Sequence, residues 1–150
     1  MKVCLLIKHD YICYFIYYSF ERFNLAVANK KQLLVVDDEQ DMLLAIKLRL
    51  EACGYKVHTA SDGLEGLALA RQLKPDLIIL DIMLPKMNGY KISRFLKFDE
   101  EFKHIPIIML TALSGDDDRN TGVETGANAY ITKPFETQVL VDTVRRFLGE

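Results

Sequence analysis

Residues 76–81 read Asp-Leu-Ile-Ile-Leu-Asp, a short run of apolar residues that ends in a carboxylate. The apolar residues are continuous rather than alternating, which is typical of a strand buried on both faces of a parallel sheet. Residues 33–36 (Leu-Leu-Val-Val) and 106–110 (Pro-Ile-Ile-Met-Leu) repeat this pattern. Three such runs, separated by stretches with helical spacing, indicate an α/β fold, and they place the polar residue after each run at one edge of the sheet.

The segments between these runs have the features of helices and of two further strands. Residues 55–60 alternate like a half-buried edge strand, and residues 129–131 predict a short strand. Helical periodicity or helix-capping signals mark five segments: residues 41–52; residues 62–73, where Asp62 and Glu65 predict a capping box; a helix that follows the loop at Gly89 and ends at about residue 98; a weak helix from Ser114; and residues 137–148. Five strands alternating with five helices predict a doubly wound parallel sheet with helices on both faces.

The first 31 residues differ in composition from the rest of the chain. They hold five basic and two acidic residues, a net charge of +3, so the remainder carries −5 of the total of −2. Their longest apolar run, residues 11–20, is shorter than the roughly 20 residues of a membrane-spanning helix. We expect an aromatic leader over residues 1–31 that packs loosely or is disordered, without membrane contact, followed by one domain over residues 32–150. Translation from Val27 is an open alternative.

Composition also excludes several classes of protein. A net charge of −2 argues against a basic nucleic-acid-binding surface. The three cysteines form no CxxC pair, so neither a disulfide framework nor a structural zinc site is expected, and a reducing cytoplasmic setting fits best. Neither GxGxxG nor GxxxxGK[ST] occurs, so the sequence gives nucleotide binding no support.

Polar residues collect where the predicted strands end. The first strand is followed by Asp37 and Asp38, the third ends in Asp81, the fourth is followed by Thr111, and the fifth leads to Lys133. Because the carboxyl ends of parallel strands meet at one edge, we expect these side chains to lie close together. Clustered carboxylates suit a hard cation such as Mg²⁺. With a lysine and a hydroxyl beside them, one aspartate can accept a phosphoryl group as a nucleophile.

These residues lie in four motifs whose order resembles the receiver domain of two-component response regulators. The motifs are LVVDDE at residues 34–39, LIILDIMLP at 77–85 with Gly89, IMLTA at 108–112, and YITKPF at 130–135. The intervals of 30 residues from Asp81 to Thr111 and 52 to Lys133 match the family's spacing. The resemblance covers about residues 32–150, and it implies a flavodoxin-like fold with strand order 2-1-3-4-5.

The resemblance implies a role for each site residue. Asp81 would accept the phosphoryl group from the phosphohistidine of a sensor kinase or a phosphotransfer protein. Asp38 and Asp81 would bind Mg²⁺ together with the backbone carbonyl of Met83, and Asp37 would act through a bound water. Lys133 would pair with Asp81 and then with the phosphoryl oxygens.

The resemblance also implies a switch and an output. Thr111 would hydrogen-bond the phosphoryl group, and Tyr130 would change rotamer with it. This change would alter the face formed by the fourth predicted helix, the fifth strand and the fifth helix, which would contact a downstream protein or a second copy of the chain. The Lys133–Pro134 bond is expected to be cis. Because the chain ends directly after the last predicted helix, we expect a stand-alone phosphorelay module without direct nucleic-acid contact.

An enzyme is the alternative interpretation. Phosphatases of the haloacid dehalogenase type also use a strand-end aspartate as nucleophile, with a second aspartate two residues later as general acid. Here that position is Met83, which cannot transfer a proton. We therefore expect a phosphoacceptor rather than an enzyme, with slow self-dephosphorylation because Met83 and Leu113 cannot position an attacking water.

Overall fold

The computed structural model describes residues 30–112 and 126–150, and these residues contain five strands and four helices. The strands are β1 (Gln32–Val36), β2 (Lys56–Ala60), β3 (Leu77–Asp81), β4 (Ile107–Thr111) and β5 (Ala129–Thr132). The helices are α1 (Gln40–Ala52), α2 (Gly63–Leu73), α3 (Gly89–Lys97) and α4 (Thr137–Leu148). The helix predicted from Ser114 and residues 1–29 of the predicted leader lie outside the described residues.

All the strand pairs are parallel, and the sheet has the order β2-β1-β3-β4-β5. This confirms the predicted doubly wound sheet and its strand order. Helices α1, α2 and α3 lie in the connections from β1 to β2, from β2 to β3 and from β3 to β4, as parallel strands require. In the register, Val36 lies beside Leu80, and Thr111 lies beside Thr132. The residues that follow β1, β3, β4 and β5 therefore emerge at one edge.

The central strands are buried on both faces, as their continuous apolar sequences predict. Every residue of β3 and β4 is buried. Alternate residues of β1 contribute to two separate cores: Leu33 packs in one with helices α1 and α4, and Leu34 packs in the other with helices α2 and α3. Burial of one such aliphatic side chain contributes about 1.5–3 kcal/mol, so the two cores hold the strand ends in fixed positions.

Helix α2 begins with a cap that differs from the predicted capping box. The Asp62 side chain accepts hydrogen bonds from the backbone N–H groups of Leu64 and Glu65, as an N-cap residue does. The Glu65 carboxylate, however, accepts from the backbone N–H of Ser61 at 2.9 Å. A reciprocal capping box would have it accept from Asp62. The helix ends at Leu73, and the C-cap residue Lys74 has a left-handed conformation directly before Pro75.

Lys31 contacts two neighbouring segments of the domain. Its side chain forms an ion pair with Asp76 at 3.0 Å, and its carbonyl accepts a hydrogen bond from the Lys56 backbone N–H at 2.9 Å. The polypeptide therefore contacts the neighbouring segments one residue before β1 begins. No helix within residues 30–112 and 126–150 has the length and hydropathy needed to cross a membrane.

Candidate functional site

Three aspartates meet at the carboxyl edge of the sheet. Asp37 and Asp38 follow β1 directly, and Asp81 is the last residue of β3. One carboxylate oxygen from each residue lies within 4.8 Å of the others. Asp37 and Asp81 are buried, whereas Asp38 is exposed. The site thus has a closed inner side and one carboxylate that faces solvent.

Lys133 places its ammonium group between the two buried carboxylates. Its Nζ lies 2.6 Å from Asp37 Oδ2 and 3.4 Å from Asp81 Oδ1. Its backbone N–H donates a 2.6 Å hydrogen bond to the Thr111 carbonyl, which ties the segment after β5 to the end of β4. The Lys133–Pro134 peptide bond is cis, as predicted. The shorter contact is the one with Asp37, for which the sequence predicted only an indirect role.

The electrostatics of the site follow from burial and from these contacts. Burial raises the pKa of Asp81, and the Asp37 carboxylate adds to this effect; the Lys133 ammonium opposes both, and the pKa remains above its usual value. Burial lowers the pKa of Lys133, but its hydrogen bond to Asp37 and the charge of Asp81 outweigh burial and raise it. When ionised, the three carboxylates exceed the single ammonium by two negative charges, which is an arrangement that favours a divalent cation.

Backbone groups fix the orientation of both buried carboxylates. Asp81 Oδ1 accepts a 2.9 Å hydrogen bond from the Ile82 backbone N–H, and Asp37 Oδ1 accepts one of 2.9 Å from the Glu39 N–H. Gly89 permits the close approach of α3 to this strand end, because a Cβ atom there would lie 2.2 Å from the Asp81 carbonyl oxygen. The sequence identified Gly89 only as a loop residue.

The loop between β3 and α3 is held against the start of α2. Lys86 Nζ donates to Asp62 Oδ2 at 2.6 Å, and the Gly63 backbone N–H donates to the Pro85 carbonyl at 3.2 Å. Lys86 itself has a φ of 65°, a left-handed conformation that is uncommon for a residue with a side chain. Within this loop the Met83 side chain is 66% exposed. The sequence did not predict this attachment, because Asp62 and Lys86 are 24 residues apart and belong to different elements.

The remaining predicted site residues lie on β4 and β5. Thr111 is buried at the end of β4. Tyr130 lies on β5 beside Met109 of β4, and its half-buried ring packs against the core formed with α2 and α3. The structure thus gathers Asp37, Asp38, Asp81 and Lys133, and it places Tyr130 on β5, which β4 separates from the strand of Asp81.

This constellation has a counterpart among known proteins. A family model for the response regulator receiver domain matches residues 33–145, which contain all of these residues. The chain belongs to the response regulator receiver domain family.

Relatives in this family support the assignment. The chain is 43% identical over 117 residues to the DNA-binding dual master transcriptional regulator RpaA of Synechocystis sp., covering 78% of this chain and 48% of RpaA. It is 36% identical to the polar-differentiation response regulator DivK of Brucella anthropi, covering 80% and 98%. The solved structure of the chemotaxis response regulator CheY4 of Vibrio cholerae superposes with a TM-score of 0.75 at 32% identity, covering 79% of this chain and 99% of that one.

These similarities establish the general function of the receiver domain. It is a phosphorylation-activated signalling module of the two-component type. The comparisons give no support to the phosphatase interpretation. The chain spans about half the length of the regulators RpaA and ycf27, to which it is similar.

Proposed function

We propose that Asp81 is the phosphoacceptor and that the phosphoryl donor is the phosphohistidine of a sensor kinase or a phosphotransfer protein. The observation that supports this proposal is the convergence of three carboxylates within 4.8 Å, with the Lys133 ammonium beside two of them. Asp81 lies in the middle strand of the sheet, and its carboxylate is oriented by both a backbone N–H and a lysine. The site is therefore organised before the donor arrives.

The reaction is a transfer between two nucleophiles. A carboxylate oxygen of Asp81 forms a bond to phosphorus while the bond between phosphorus and the donor imidazole nitrogen breaks, and the imidazole departs. Oδ1 is held by the Ile82 N–H and faces Lys133, so we assign Oδ2 as the attacking oxygen. Lys133 compensates the charge on the transferred phosphoryl oxygens, and its position between Asp37 and Asp81 keeps it within reach.

The donor set fits Mg²⁺. All three side chains offer carboxylate oxygens, the ligands that hard cations prefer, and their combined charge exceeds that of Lys133 by two. Asp38 and Asp81 would hold the ion with the backbone carbonyl of Met83, and Asp37 would contact it through water. When bound, Mg²⁺ neutralises phosphoryl oxygens and so lowers the electrostatic barrier to transfer. The exposed Asp38 leaves that side of the site open to water.

Phosphorylation would reach the surface through Thr111 and Tyr130. The Thr111 carbonyl accepts a hydrogen bond from the Lys133 backbone N–H. A movement of Thr111 toward the phosphoryl group would therefore displace the segment that follows β5. Tyr130 lies on β5 and is half-buried, so a change of its rotamer would alter the surface beside this strand. Hydrogen exchange across residues 111–130 tests this switch: phosphorylation should change protection there, and unchanged protection would contradict it. The face formed by the fourth predicted helix, β5 and α4 would then bind a downstream protein or a second copy of the chain.

The kinase contact has a separate candidate surface. Helix α1 begins two residues after Asp38 and exposes Leu44 and Leu48, which are 56% and 58% accessible and lie one turn apart. We assign these side chains to contact with the donor protein. Replacing both with serine should slow transfer from a phosphohistidine protein and leave transfer from a small acyl phosphate unchanged. Equal slowing with both donors would contradict this assignment.

The phosphoacceptor assignment is tested by intact mass spectrometry. The protein is incubated with Mg²⁺ and a small acyl phosphate such as acetyl phosphate, and it should gain the mass of one phosphoryl group. Asp81→Asn should show no gain, whereas Asp76→Asn, an aspartate outside the site, should match the original protein. A mass increase that persists in Asp81→Asn would refute the proposal.

The lifetime of the phosphorylated state is a further prediction. Met83 is an apolar residue two positions after Asp81, and its side chain has no hydrogen-bond donor and no strong acceptor to orient an attacking water. We expect slow self-dephosphorylation. The decay of the phosphorylated mass after removal of acetyl phosphate measures it, and a half-life of seconds would show that the expectation is wrong.

A further inference from the structure

A groove on the side of the domain formed by α2 and α3 has no part in the phosphoryl site. Its volume is about 1040 Å³. One wall is Arg71 in the last turn of α2, and the other is the outer face of α3 with the residues that flank this helix. That face presents a stripe with helical spacing: Met87, Lys91, Arg94, Phe95 and Phe98.

The apolar part of the groove is unusually open to solvent. Phe95 is 53% exposed and Phe98 is 74% exposed, although α3 buries Ile92 and Leu96 on its opposite side. Isolated exposed apolar residues are ordinary, but two phenyl rings about one turn apart in one groove form a continuous apolar surface. Exposed aromatic rings in a groove are typical anchors of protein–protein contacts.

Among the residues that the structure describes, the cations of the groove form no ion pairs. Across residues 30–112 and 126–150, no carboxylate lies within 4.0 Å of the charged groups of Arg71, Lys91 or Arg94. Arg94 instead lies over the Phe98 ring, 5.7 Å from its centroid. These three basic groups are therefore available to an external anion, in a chain whose net charge is −2.

The acidic residues at the end of the groove are already engaged. The Asp99 side chain accepts a 3.0 Å hydrogen bond from the Glu101 backbone N–H, and Glu100 forms an ion pair with Lys103. Their charges are thus partly satisfied within the segment that follows α3. Three cations and two carboxylates line the groove, so its net formal charge is +1, and the cations flank the phenyl rings.

We propose that this groove binds an acidic amphipathic helix of a partner protein. The stripe from Met87 to Phe98 spans about three helical turns, which is long enough for the i, i+3, i+4 and i+7 anchors of a helix lying in a groove. The apolar side of the partner helix covers Phe95 and Phe98, and its carboxylates pair with Arg71, Lys91 and Arg94. This interaction is additional to the phosphoryl chemistry and uses none of its residues.

The charge pattern favours a protein partner over nucleic acid or lipid. A phosphate backbone requires a long row of cations, whereas here three cations surround two aromatic rings, and acidic side chains close one end. An anionic membrane surface would be repelled by a chain whose net charge is −2. A helix with both carboxylates and apolar side chains satisfies the two features of the groove together.

The test is selection from a displayed library of designed helical peptides of about 15 residues. All the peptides share one leucine stripe, and each flanking polar position is Glu, Gln or Lys. The immobilised chain of residues 1–150 should enrich Glu at these positions. The best selected peptide should lose about tenfold in affinity with Phe98→Ala, and the double variant Lys91→Glu, Arg94→Glu should enrich Lys instead.

Controls separate the groove from other sources of binding. The double variant Leu44→Ser, Leu48→Ser on α1 should leave the enrichment unchanged, and all groove variants should take up the phosphoryl group from acetyl phosphate at the original rate. Three results would overturn the proposal: no preference among Glu, Gln and Lys; a Glu preference that survives the charge-reversed double variant; or tighter binding of a DNA duplex or of vesicles containing phosphatidylserine at the same groove.

Discussion

Two regions of this domain use positive charge in opposite ways. In the phosphoryl site, Lys133 is mostly buried and contacts the carboxylates of Asp37 and Asp81, so its charge is compensated within the domain. In the groove of α2 and α3, Arg94 is exposed and has a phenyl ring rather than a carboxylate as its described neighbour. Internal compensation fixes the geometry of a group, whereas an uncompensated charge attracts a partner from outside.

The difference also separates what each region contributes to stability. Buried charges are costly unless they are paired, so removing one member of the Lys133 group affects both the fold and the chemistry. An exposed cation is hydrated in the free protein, and its removal changes binding rather than folding. Four predictions test this contrast, in order of decreasing effect.

Lys133→Met should have the largest effect. Removal of the ammonium group leaves the transferred phosphoryl oxygens without their side-chain cation, so phosphoryl uptake from acetyl phosphate should slow by about 100-fold. Time-resolved intact mass spectrometry measures the rate. Lys103→Met is the matched control, because that lysine is exposed and pairs with Glu100. Uptake at the original rate in Lys133→Met would contradict the role assigned to this residue.

Gly89→Ala should destabilise the domain by about 2 kcal/mol and also slow phosphoryl uptake. The added Cβ would lie 2.2 Å from the Asp81 carbonyl oxygen, so either α3 or the end of β3 must move. Urea unfolding gives the free energy of unfolding.

Gly66→Ala provides the comparison for this substitution. Its Cβ would press on the Val36 side chain at 2.8 Å, within the core and away from the Asp81 backbone. It should lower stability but leave the uptake rate of the folded protein unchanged. Equal slowing of uptake in both variants would show that Gly89 has no particular link to Asp81.

Asp38→Asn should raise the stability of the metal-free domain by about 1 kcal/mol, because it removes one of three neighbouring like charges. It should also reduce the stabilisation that Mg²⁺ provides, since it weakens binding to the folded state. Thermal unfolding in EDTA and in MgCl₂ measures both effects. An increase in melting temperature with MgCl₂ equal to that of the original protein would contradict the assignment of Asp38 as a ligand.

Arg94→Glu should have the smallest effect on the domain itself. Its side chain is exposed and has no described carboxylate partner, so stability should change by less than about 0.5 kcal/mol. Urea unfolding and phosphoryl uptake measure the two properties. A loss of more than about 1 kcal/mol would mean that the guanidinium group is compensated internally, and the contrast between the two regions would fail.

The sequence predicted the sheet well because its strands are buried on both faces. Continuous apolar runs such as residues 77–80 and 107–110 are typical of central parallel strands, and each is followed by a residue of the site. Because the carboxyl ends of parallel strands share an edge, the sequence also predicted that Asp37, Asp81 and Lys133 lie close together. The pattern of apolar runs, each followed by a polar residue, therefore predicted at which edge of the sheet this site lies.

The contacts within the site required the structure. Lys133 and Asp37 are 96 residues apart, and their 2.6 Å contact depends on the relative heights of β1 and β5 in the sheet, which periodicity does not encode. The attachment of Lys86 to Asp62 depends on a left-handed residue in a loop. The groove was also missed, because Phe95 and Phe98 continue the apolar content of α3 and resemble core residues in the sequence.

The most direct measurement locates the phosphoryl group. After incubation with Mg²⁺ and acetyl phosphate, borohydride reduction converts an aspartyl phosphate into homoserine, and peptide mass spectrometry identifies the modified residue. We predict homoserine at position 81 alone, with none in protein that was not phosphorylated. Homoserine at position 37 or 38, or none at any aspartate, would contradict the assignment of Asp81 as the phosphoacceptor.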